Sequence, residues 1–489
     1  MSLVNAIAGA YSDDLPVVVV SGGPNSNDLG TNRVLHHTMG LPDRTQQLEV
    51  FRRVTQEAVV VTNAIDAPEL IDKAFSTALR TRKPVYIEIC CNIAQQLVPT
   101  PVPMAIKYIP DSNQTSLQHA LQQFTSSWNS AVKPVLLIGN KVRLAHALRL
   151  AVPLAEKLGA GVAVMPNAKS FFPETHPQFM GTYWGNVSSP YVCEVVESAD
   201  LYVYIGPVFN DYTTTGYSTL VQKHKMIQIL PERVKMPLAE YGCVYMTEFL
   251  EKLLSCKELE VKNKSLEIYK RIAEAEPVPV LPPPSEVLST RYVLRTVQRM
   301  LRETSAVIVE TGDSWFNGQK LHLPRGVPYE FQMQYGSIGW SVGALLGMAL
   351  GFRGSRRCIA MIGDGSFQMT AQEVSTMIRY GLNPIIFLLN NQGYTIEVEI
   401  HDGPYNNIKN WDYKMLIDAF SKKEGKVKSF LCNTVQDLNE GVEFAEKNEG
   451  HLVFLECSLD RNDCSKELLE WGTRVASANG RAAIDKDNY

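Results

Sequence analysis

Short apolar runs rich in β-branched residues recur along the chain, separated by stretches long enough to form helices. The clearest runs are residues 17–20, 59–61, 85–89, 135–138, 162–165, 201–205, 226–230, 306–309, 358–362, 385–389 and 452–455. Continuous apolar strands that alternate with helices are typical of parallel sheets covered on both faces. The pattern therefore predicts an α/β fold built from doubly wound parallel sheets.

Two proline-rich segments divide this pattern. Pro99, Pro101 and Pro103 form the first, and five prolines between positions 277 and 284 form the second. Closely spaced prolines disfavour helices and central strands, so these segments are predicted to be linkers. The length of 489 residues agrees with about three domains of ~150 residues each. The predicted domains are residues 1–98, 108–275 and 285–489.

Composition restricts the partners to be expected. A net charge of −4 and a charged fraction of 20% give no reason to expect nucleic acid or an anionic membrane. The longest apolar run, residues 342–352, contains three glycines and is far shorter than the ~20 residues that span a membrane. Nine cysteines without a Cys-x-x-Cys pair indicate neither a disulfide scaffold nor a zinc site. Reduced thiols favour a cytoplasmic location.

The strongest chemical signal is a strand–helix–strand pattern around Asp364. One apolar run leads into Gly363-Asp364-Gly365-Ser366, and the next ends on Asn390-Asn391, whose second asparagine follows the aspartate by 27 positions. A parallel crossover of this length places both side chains at the carboxyl ends of neighbouring strands, where open α/β sheets bind ligands. Asp364 and Asn391 offer hard oxygen ligands, so the pattern predicts a magnesium ion that holds a diphosphate.

This spacing resembles the Gly-Asp-Gly and Asn-Asn motif of thiamin diphosphate-dependent enzymes. The resemblance implies that Asp364, Asn391 and the backbone carbonyl of Gly393 bind the metal. It also implies that Gly365 and Ser366, at the start of a helix, contact the diphosphate. The implied cofactors are thiamin diphosphate and Mg²⁺.

Residues 393–397, Gly-Tyr-Thr-Ile-Glu, follow the asparagines directly. A glutamate here is most often a solvated helix residue. In the related decarboxylases that act on pyruvate, the matching glutamate faces the reacting carbon, so the resemblance makes Glu397 a catalytic residue and Ile396 a cofactor contact. A carboxylate whose pKa is raised by burial could donate and accept the protons of such a reaction.

A histidine pair, His36-His37, lies in a polar segment. Adjacent histidines in such a segment are usually surface residues. The surrounding sequence, however, resembles the pyruvate decarboxylases, in which the pair lines the reaction site. Histidine titrates near neutral pH, so the resemblance assigns His36 and His37 a role in proton relay.

Two glycine-containing segments complete the resemblance. Gly336-Ser337-Ile338 would hold the aminopyrimidine through the Gly336 carbonyl and place Ile338 between the two cofactor rings. Without the resemblance, this segment is a glycine-rich turn before a buried helix. Thr311 and Asp313 follow another apolar run and match a strand-end loop that lies near the cofactor.

The resemblance extends from residue 4 to residue 471 and is closest to the plant pyruvate decarboxylases. It implies a pyrimidine-binding domain, a central nucleotide-binding-like domain with a structural role, and a diphosphate-binding domain. The implied reaction is the non-oxidative decarboxylation of pyruvate, a small 2-keto acid, to acetaldehyde and carbon dioxide. A homo-oligomer, dimer or tetramer, is expected.

The resemblance also predicts an incomplete first domain. In the family, a glutamate that hydrogen-bonds the aminopyrimidine and an aspartate at the substrate precede the part that matches Met1 onward. The front part of the domain is therefore expected to be missing and activity to be impaired. The family's sites lie between two subunits, so a second copy of the same chain would not replace these residues.

Three alternatives remain open. A decarboxylase of another 2-keto acid, such as indolepyruvate, would share every motif. An acetolactate synthase-like ligase is disfavoured by His36-His37 and Glu397. A chain with an incomplete catalytic set could instead be a partner subunit of intact enzymes.

Overall fold

The computed structural model describes residues 1–98, 100–102, 110–273, 281–422 and 425–481. Pro99, Pro103, Pro277 and Pro279, used above to predict linkers, lie outside these ranges. The described residues form two compact units, the smaller made of residues up to Asp111 with Gln334–Gly336, the larger of the rest. The three domain boundaries stay predictions.

The smaller unit contains a three-stranded parallel sheet. Its strands are β1 (Val18–Gly23), β2 (Glu57–Val61) and β3 (Val85–Cys90), in the order β1-β3-β2. Its helices are α1 (Val4–Ser12), α2 (Gln46–Arg52) and α3 (Ala67–Thr81). Ala74 and Ala78 of α3 pack with Val85 and Ile87 on one face, while Phe51 stacks on Tyr86 on the other. Both faces of this sheet are thus covered, as parallel strands require.

The first sheet of the larger unit has seven strands. They are β4 (Pro134–Ile138), β5 (Gly161–Val164), β6 (Phe179–Thr182), β7 (Leu201–Ile205), β8 (Met226–Leu230), β9 (Arg233–Met236) and β10 (Ala239–Gly242). The helices are α4 (Gln114–Ser130), α5 (Lys141–Leu144), α6 (Leu148–Leu158), α7 (Val192–Glu197), α8 (Met246–Ser255) and α9 (Lys264–Ile272). The strand order is β10-β9-β8-β7-β4-β5-β6, parallel except for the antiparallel β8-β9-β10 edge. We call this the central sheet.

The crevice where a doubly wound sheet would bind a nucleotide is closed in the central sheet. β4 and β7 are neighbours whose connections lead in opposite directions, to β5 and to β8, and ligands bind at such a point in these folds. Here the loops after these strands touch, because a Cβ atom on Gly139 would lie 2.2 Å from the carbonyl oxygen of Gly206. The Gly139 N–H donates to Ile205 and the Lys141 N–H to Gly206. Backbone therefore fills the space that a phosphate group would need.

The second sheet of the larger unit has six parallel strands. They are β11 (Ser305–Val309), β12 (Tyr329–Glu330), β13 (Arg357–Gly363), β14 (Ile385–Asn390), β15 (Val427–Cys432) and β16 (Leu452–Ser458). The order is β12-β11-β13-β14-β16-β15. The helices are α10 (Thr290–Met300), α11 (Asp313–Gln319), α12 (Trp340–Phe352), α13 (Asp364–Thr370), α14 (Glu373–Arg379), α15 (Thr395–Ile400), α16 (Tyr413–Ser421), α17 (Val435–Lys447) and α18 (Lys466–Asn479). We call this the C-terminal sheet.

The central strands of the C-terminal sheet are mostly apolar and bury both faces. Residues of β13 and β14 alternate between two hydrophobic clusters, one on each side of the sheet. Met361 and Phe387 lie in one cluster, Ala360 and Ile386 in the other. The predicted α/β class with parallel sheets is confirmed, with one antiparallel edge in the central sheet. No helix within the described ranges is long and apolar enough to cross a membrane.

Candidate active site

The carboxyl ends of β13 and β14 meet at one edge of the C-terminal sheet. The two strands are parallel, and Gly363 pairs with Leu389 at their ends. Asp364 is the first residue of α13, and Asn391 follows the last residue of β14. The two side chains therefore leave neighbouring strands at the same edge.

The amide of Asn391 faces two oxygen atoms. One of its terminal atoms lies 3.2 Å from Asp364 Oδ1 and 3.1 Å from the Gly393 carbonyl oxygen, and the other lies 2.6 Å from Thr395 Oγ1. With nitrogen toward the pair, the amide donates to both oxygens. With oxygen toward the pair, the amide oxygen lies 3.2 and 3.1 Å from the other two oxygens, close to the ~3.0 Å between adjacent ligands of octahedral Mg²⁺. In this orientation the three oxygens could serve as ligands of a cation.

The Asp364 carboxyl group is suited to a cation. The residue is 1% exposed, and its Oδ2 atom has no hydrogen-bond partner. Burial raises the pKa of Asp364 to about 6, although backbone N–H groups of Gly365, Gln392 and Gly393 act in the opposite direction. A bound cation would supply the missing partner and favour the charged form. In the part of the chain that is described, no three His, Cys, Asp or Glu side chains cluster as metal ligands, so a cation beside Asp364 would also need amide or carbonyl oxygens.

The start of α13 passes close to Tyr394. A Cβ atom at Gly365 would lie 2.4 Å from the Tyr394 ring, and the Tyr394 hydroxyl donates to the Gly365 carbonyl oxygen at 3.3 Å. Only glycine fits this approach. The following residue, Ser366, is buried beside the cleft described below.

The end of β11 contributes Thr311 and Asp313. The Thr311 hydroxyl oxygen is buried and has no hydrogen-bond partner. The Asp313 carboxylate, in contrast, accepts from Asn317 Nδ2 at 2.6 Å and from the backbone N–H and hydroxyl of Ser465. Burial raises the pKa of Asp313, while these hydrogen bonds favour the carboxylate. The Asp313 side chain therefore joins α11 to the start of α18, and the Thr311 hydroxyl is left for a ligand.

One cleft of the larger unit gathers most of the candidate residues. Its lining includes Thr311, Asp313, Ile338, Asp364, Gly365, Ser366, Asn391, Gly393 and Ile396. It also includes Thr290 and Asp463, which no motif indicated; the Thr290 N–H donates to Asp463 Oδ2 at 2.7 Å. Thr290 lies before the first strand of the C-terminal sheet and Asp463 lies after its last strand, so only the folded chain brings them to the cleft.

The turn that carries Ile338 is held at both ends. The Ser337 N–H donates to Gln332 Oε1 at 2.9 Å, and the Gly339 carbonyl accepts from the Thr370 hydroxyl at 2.6 Å. Gly339 has φ +90° and starts α12. Gly336 has φ +62° and belongs to the smaller unit. The sequence prediction of a tight glycine turn before a buried helix fits this geometry.

Glu397 lies in the short helix α15 and is half-buried. Burial is the main cause that raises the pKa of the Tyr212 hydroxyl, and the negative charge of Glu397 is the second. Tyr212 follows β7 of the central sheet and packs edge-on against Trp315 and Trp471. The sequence analysis noted Asn210-Asp211 at this strand end but not the tyrosine, because no motif connects it to Glu397.

His36 and His37 lie in the loop after β1 of the smaller unit. Both are exposed, their ring centroids are 4.7 Å apart, and His37 has φ +57°. Their predicted catalytic role stays a prediction.

Comparisons with known proteins agree with this geometry. Residues 121–241 match the family model of the thiamine pyrophosphate enzyme central domain. Residues 302–457 match the C-terminal thiamine pyrophosphate-binding domain. Pyruvate decarboxylase 2 of Oryza sativa subsp. japonica is 53% identical over 487 residues, which cover 98% of this chain and 80% of that protein. Pyruvate decarboxylase 2 of Arabidopsis thaliana is 51% identical with the same coverage.

A solved structure supports the fold. It is described as a thiamin diphosphate-dependent enzyme isolated from Mycobacterium smegmatis and superimposes with a TM-score of 0.72 at 19% identity. The match covers 93% of this chain and 85% of that one. From the identity to the plant enzymes over nearly its whole length, the chain belongs to the family of thiamin diphosphate-dependent pyruvate decarboxylases.

Proposed function

We propose that this protein binds thiamin diphosphate together with Mg²⁺ and decarboxylates pyruvate to acetaldehyde and carbon dioxide. The observation that carries the proposal is the set of three oxygen atoms formed by Asp364, Asn391 and Gly393. An unpartnered carboxylate oxygen beside this set supports a cation there. Magnesium usually takes few protein ligands, so diphosphate and water oxygens would complete its shell.

The remaining contacts follow from the lining of the cleft. Gly365 and Ser366, in the first turn of α13, would meet the diphosphate, since the first N–H groups of a helix have no partner inside it. The buried Thr311 hydroxyl would bond to the same ligand, while Asp313 would act by fixing the loop. Ile338 and Ile396 would pack against the rings. The backbone of Gly336 and Ser337 would bind the aminopyrimidine.

Proton movement is assigned to this chain's own side chains. When bound, thiamin diphosphate supplies the carbon nucleophile and the electron sink of the reaction. Glu397 would hold and deliver a proton at the reacting carbon, and the Tyr212 hydroxyl, whose pKa is raised by burial and by the Glu397 charge, lies near it. His36 and His37 would relay protons between the substrate and solvent.

A binding experiment tests the metal site. The 489-residue chain is titrated with thiamin diphosphate with and without Mg²⁺, and intrinsic tryptophan fluorescence is recorded. We expect binding to require Mg²⁺ and the Asp364→Asn variant to lose at least tenfold in affinity, since it replaces the charged ligand. Equal affinity without Mg²⁺, at unchanged stability, would contradict the assignment.

Turnover is tested separately. We propose that the 489-residue chain converts pyruvate to acetaldehyde. Acetaldehyde formation from pyruvate is measured by coupled NADH oxidation, beside the rice enzyme that the chain resembles. A chain that binds thiamin diphosphate but forms no acetaldehyde would refute the proposed reaction and leave the cofactor site standing.

The three alternatives are tested by substrate competition, by product analysis and by mixing with an intact enzyme. Indolepyruvate and longer 2-keto acids are offered in competition with pyruvate, and formation of 2-acetolactate is monitored. A partner-subunit role is tested by mixing with an intact relative and measuring subunit exchange. We further propose a homodimer or homotetramer in the cytoplasm, which sedimentation and fractionation would check.

A further inference from the structure

Glu310 is a buried carboxylate that none of the roles above uses. It follows β11 directly, is fully shielded from solvent, and its own N–H donates to the Met361 carbonyl oxygen at 3.0 Å in the neighbouring strand β13. A carboxylate in such a place is costly unless every oxygen is bonded. Its hydrogen bonds therefore indicate what it is for.

The two oxygens of Glu310 bond to two different segments of the cleft. Oε1 accepts from the Thr311 N–H at 2.7 Å, at the start of the loop that carries Thr311 and Asp313. Oε2 accepts from the N–H and the hydroxyl of Ser341, at 3.0 and 2.7 Å, in the first turn of α12. Ser341 is also fully buried. The negative charge is favoured at this helix start by the dipole of α12.

Both bonded segments contribute to the cleft lining. Ser341 is three residues after Ile338, and both Thr311 and Ile338 line the cleft. Gln332 holds Ser337, just before Ile338, and Thr370 holds Gly339, just after it. Glu310 is thus the side chain that bonds both to the Thr311 loop and to the helix that follows the Ile338 turn.

We propose that Glu310 is a positioning residue that fixes these two walls of the cleft for the cofactor, an inference that rests on the proposed thiamin diphosphate site. Glutamine at this position offers one acceptor oxygen and one donor group. The amide nitrogen would face either the Thr311 N–H or the Ser341 donors, and one wall would be released. A role confined to folding would lower stability without changing the cleft of the molecules that remain folded.

The test compares cofactor affinity with stability. For Glu310→Gln we expect the Kd for thiamin diphosphate, from fluorescence titration at saturating Mg²⁺, to rise at least tenfold, about 1.4 kcal/mol. Glu310→Asp keeps the charge but is shorter, so an intermediate Kd is expected. The matched control is Asp200→Asn, a half-buried carboxylate whose two oxygens accept from the Val132 and Lys133 N–H groups in the central part of the chain. It should lower stability and leave the Kd unchanged.

A double-mutant cycle with Ser341→Ala identifies the route. If Glu310 acts through Ser341, the effects of Glu310→Gln and Ser341→Ala on the Kd are not additive. Should Glu310→Gln not fold, Ser341→Ala alone must raise the Kd at least threefold. An unchanged Kd in folded Glu310→Gln, or in Ser341→Ala when it alone folds, would overturn the inference. Failure of the unsubstituted chain to bind thiamin diphosphate would instead refute the proposed function.

Discussion

At the scale of single residues, two buried polar atoms of the cleft have no protein partner. Thr311 Oγ1 and Asp364 Oδ2 are shielded from solvent, and neither has a hydrogen-bond partner. Leaving such an atom unbonded usually costs about 1–3 kcal/mol. Both residues line the same cleft, so a bound ligand would recover part of that cost at two points.

Thr311→Val tests this interpretation because it removes the hydroxyl and keeps the shape. We expect the cofactor-free protein to keep or slightly increase its free energy of unfolding, and the Kd for thiamin diphosphate to rise about fivefold, ~1 kcal/mol. Urea denaturation and fluorescence titration measure the two quantities.

The control for this variant is Thr247→Val. The Thr247 hydroxyl is buried but donates to the Ala145 carbonyl oxygen at 2.6 Å. Its removal should cost about 1 kcal/mol of unfolding free energy without changing the Kd. If Thr311→Val destabilised the cofactor-free protein as much as Thr247→Val, the hydroxyl would have a structural role instead.

Sequence spacing predicted the neighbouring strand ends of Asp364 and Asn391 because one strand–helix–strand unit contains both residues. Tyr212 could not be predicted in the same way. It follows a strand of the central sheet, and its proximity to Glu397 arises from packing between two sheets. The local sequence pattern therefore brings together residues of one strand–helix–strand segment. Contacts between distant segments become visible only in the folded chain.

At the scale of elements, α11 connects the cleft to the central sheet. Asp313 begins this helix, and Gln319 ends it. Gln319 Nε2 donates to the Pro166 carbonyl oxygen at 2.9 Å and its Oε1 accepts from the Thr182 hydroxyl at 3.0 Å. The end of the helix is thus attached to the loop after β5 and to β6.

Lys169 strengthens this attachment from inside the protein. Its Nζ atom donates to Glu174 at 2.7 Å, to the Leu321 carbonyl at 2.8 Å and to the Gln319 carbonyl at 3.2 Å. Burial lowers the pKa of Lys169, while the Glu174 carboxylate acts against this shift. Three acceptors therefore hold one buried ammonium group beside the end of α11.

Lys169→Met should be strongly destabilising because it leaves the Glu174 charge buried and unpaired. We expect a loss of about 3–5 kcal/mol of unfolding free energy in urea denaturation. The double variant Lys169→Met with Glu174→Gln should lose less, since no charge remains. Lys447→Met, which breaks an exposed ion pair with Glu443, should leave the unfolding midpoint nearly unchanged. Equal losses in the single and double variants would contradict the explanation.

The strands that the apolar pattern did not reveal are mostly edge strands. β6 and β10 border the central sheet, and β12 and β15 border the C-terminal sheet. The residues of β10 alternate between half-buried and exposed, which leaves no continuous apolar run. Each apolar run that predicted a strand corresponds to an observed one. Most of these are interior parallel strands, which bury both faces, whereas β1 and β2 are the edges of the three-stranded sheet.

At the scale of the whole molecule, the central and C-terminal sheets form one compact unit. Trp184 of the central part stacks on Phe316 of α11 with ring centroids 4.8 Å apart and packs against Trp471 of α18. Its indole N–H donates to the Tyr212 carbonyl oxygen at 2.7 Å. In sequence these aromatic residues resemble ordinary core residues, so the joint core of the two sheets was not predicted.

Trp184→Ala should uncouple the two sheets. We expect a loss of about 3–5 kcal/mol of unfolding free energy and two separate unfolding transitions within the larger unit. Hydrogen exchange of the backbone amides of β4 and β13 measures the two transitions. Trp128→Ala, which removes an equally buried tryptophan from the central core alone, should lower stability while β4 and β13 still lose protection together. Separate transitions already present in the unsubstituted protein would contradict the prediction.

The amide of Asn391 has a consequence for the fraction of the folded protein that is active. With nitrogen toward Asp364 and Gly393 the amide donates to both oxygens, so these oxygens have a protein partner in the absence of metal. If the proposed Mg²⁺ binds here, only this one amide has to turn its oxygen toward the ion. We expect chelation to leave the protein folded and reloading to restore it fully. The amount of folded protein and the amount of active enzyme are then separate quantities, and the cofactor concentration determines which fraction of the folded protein is active.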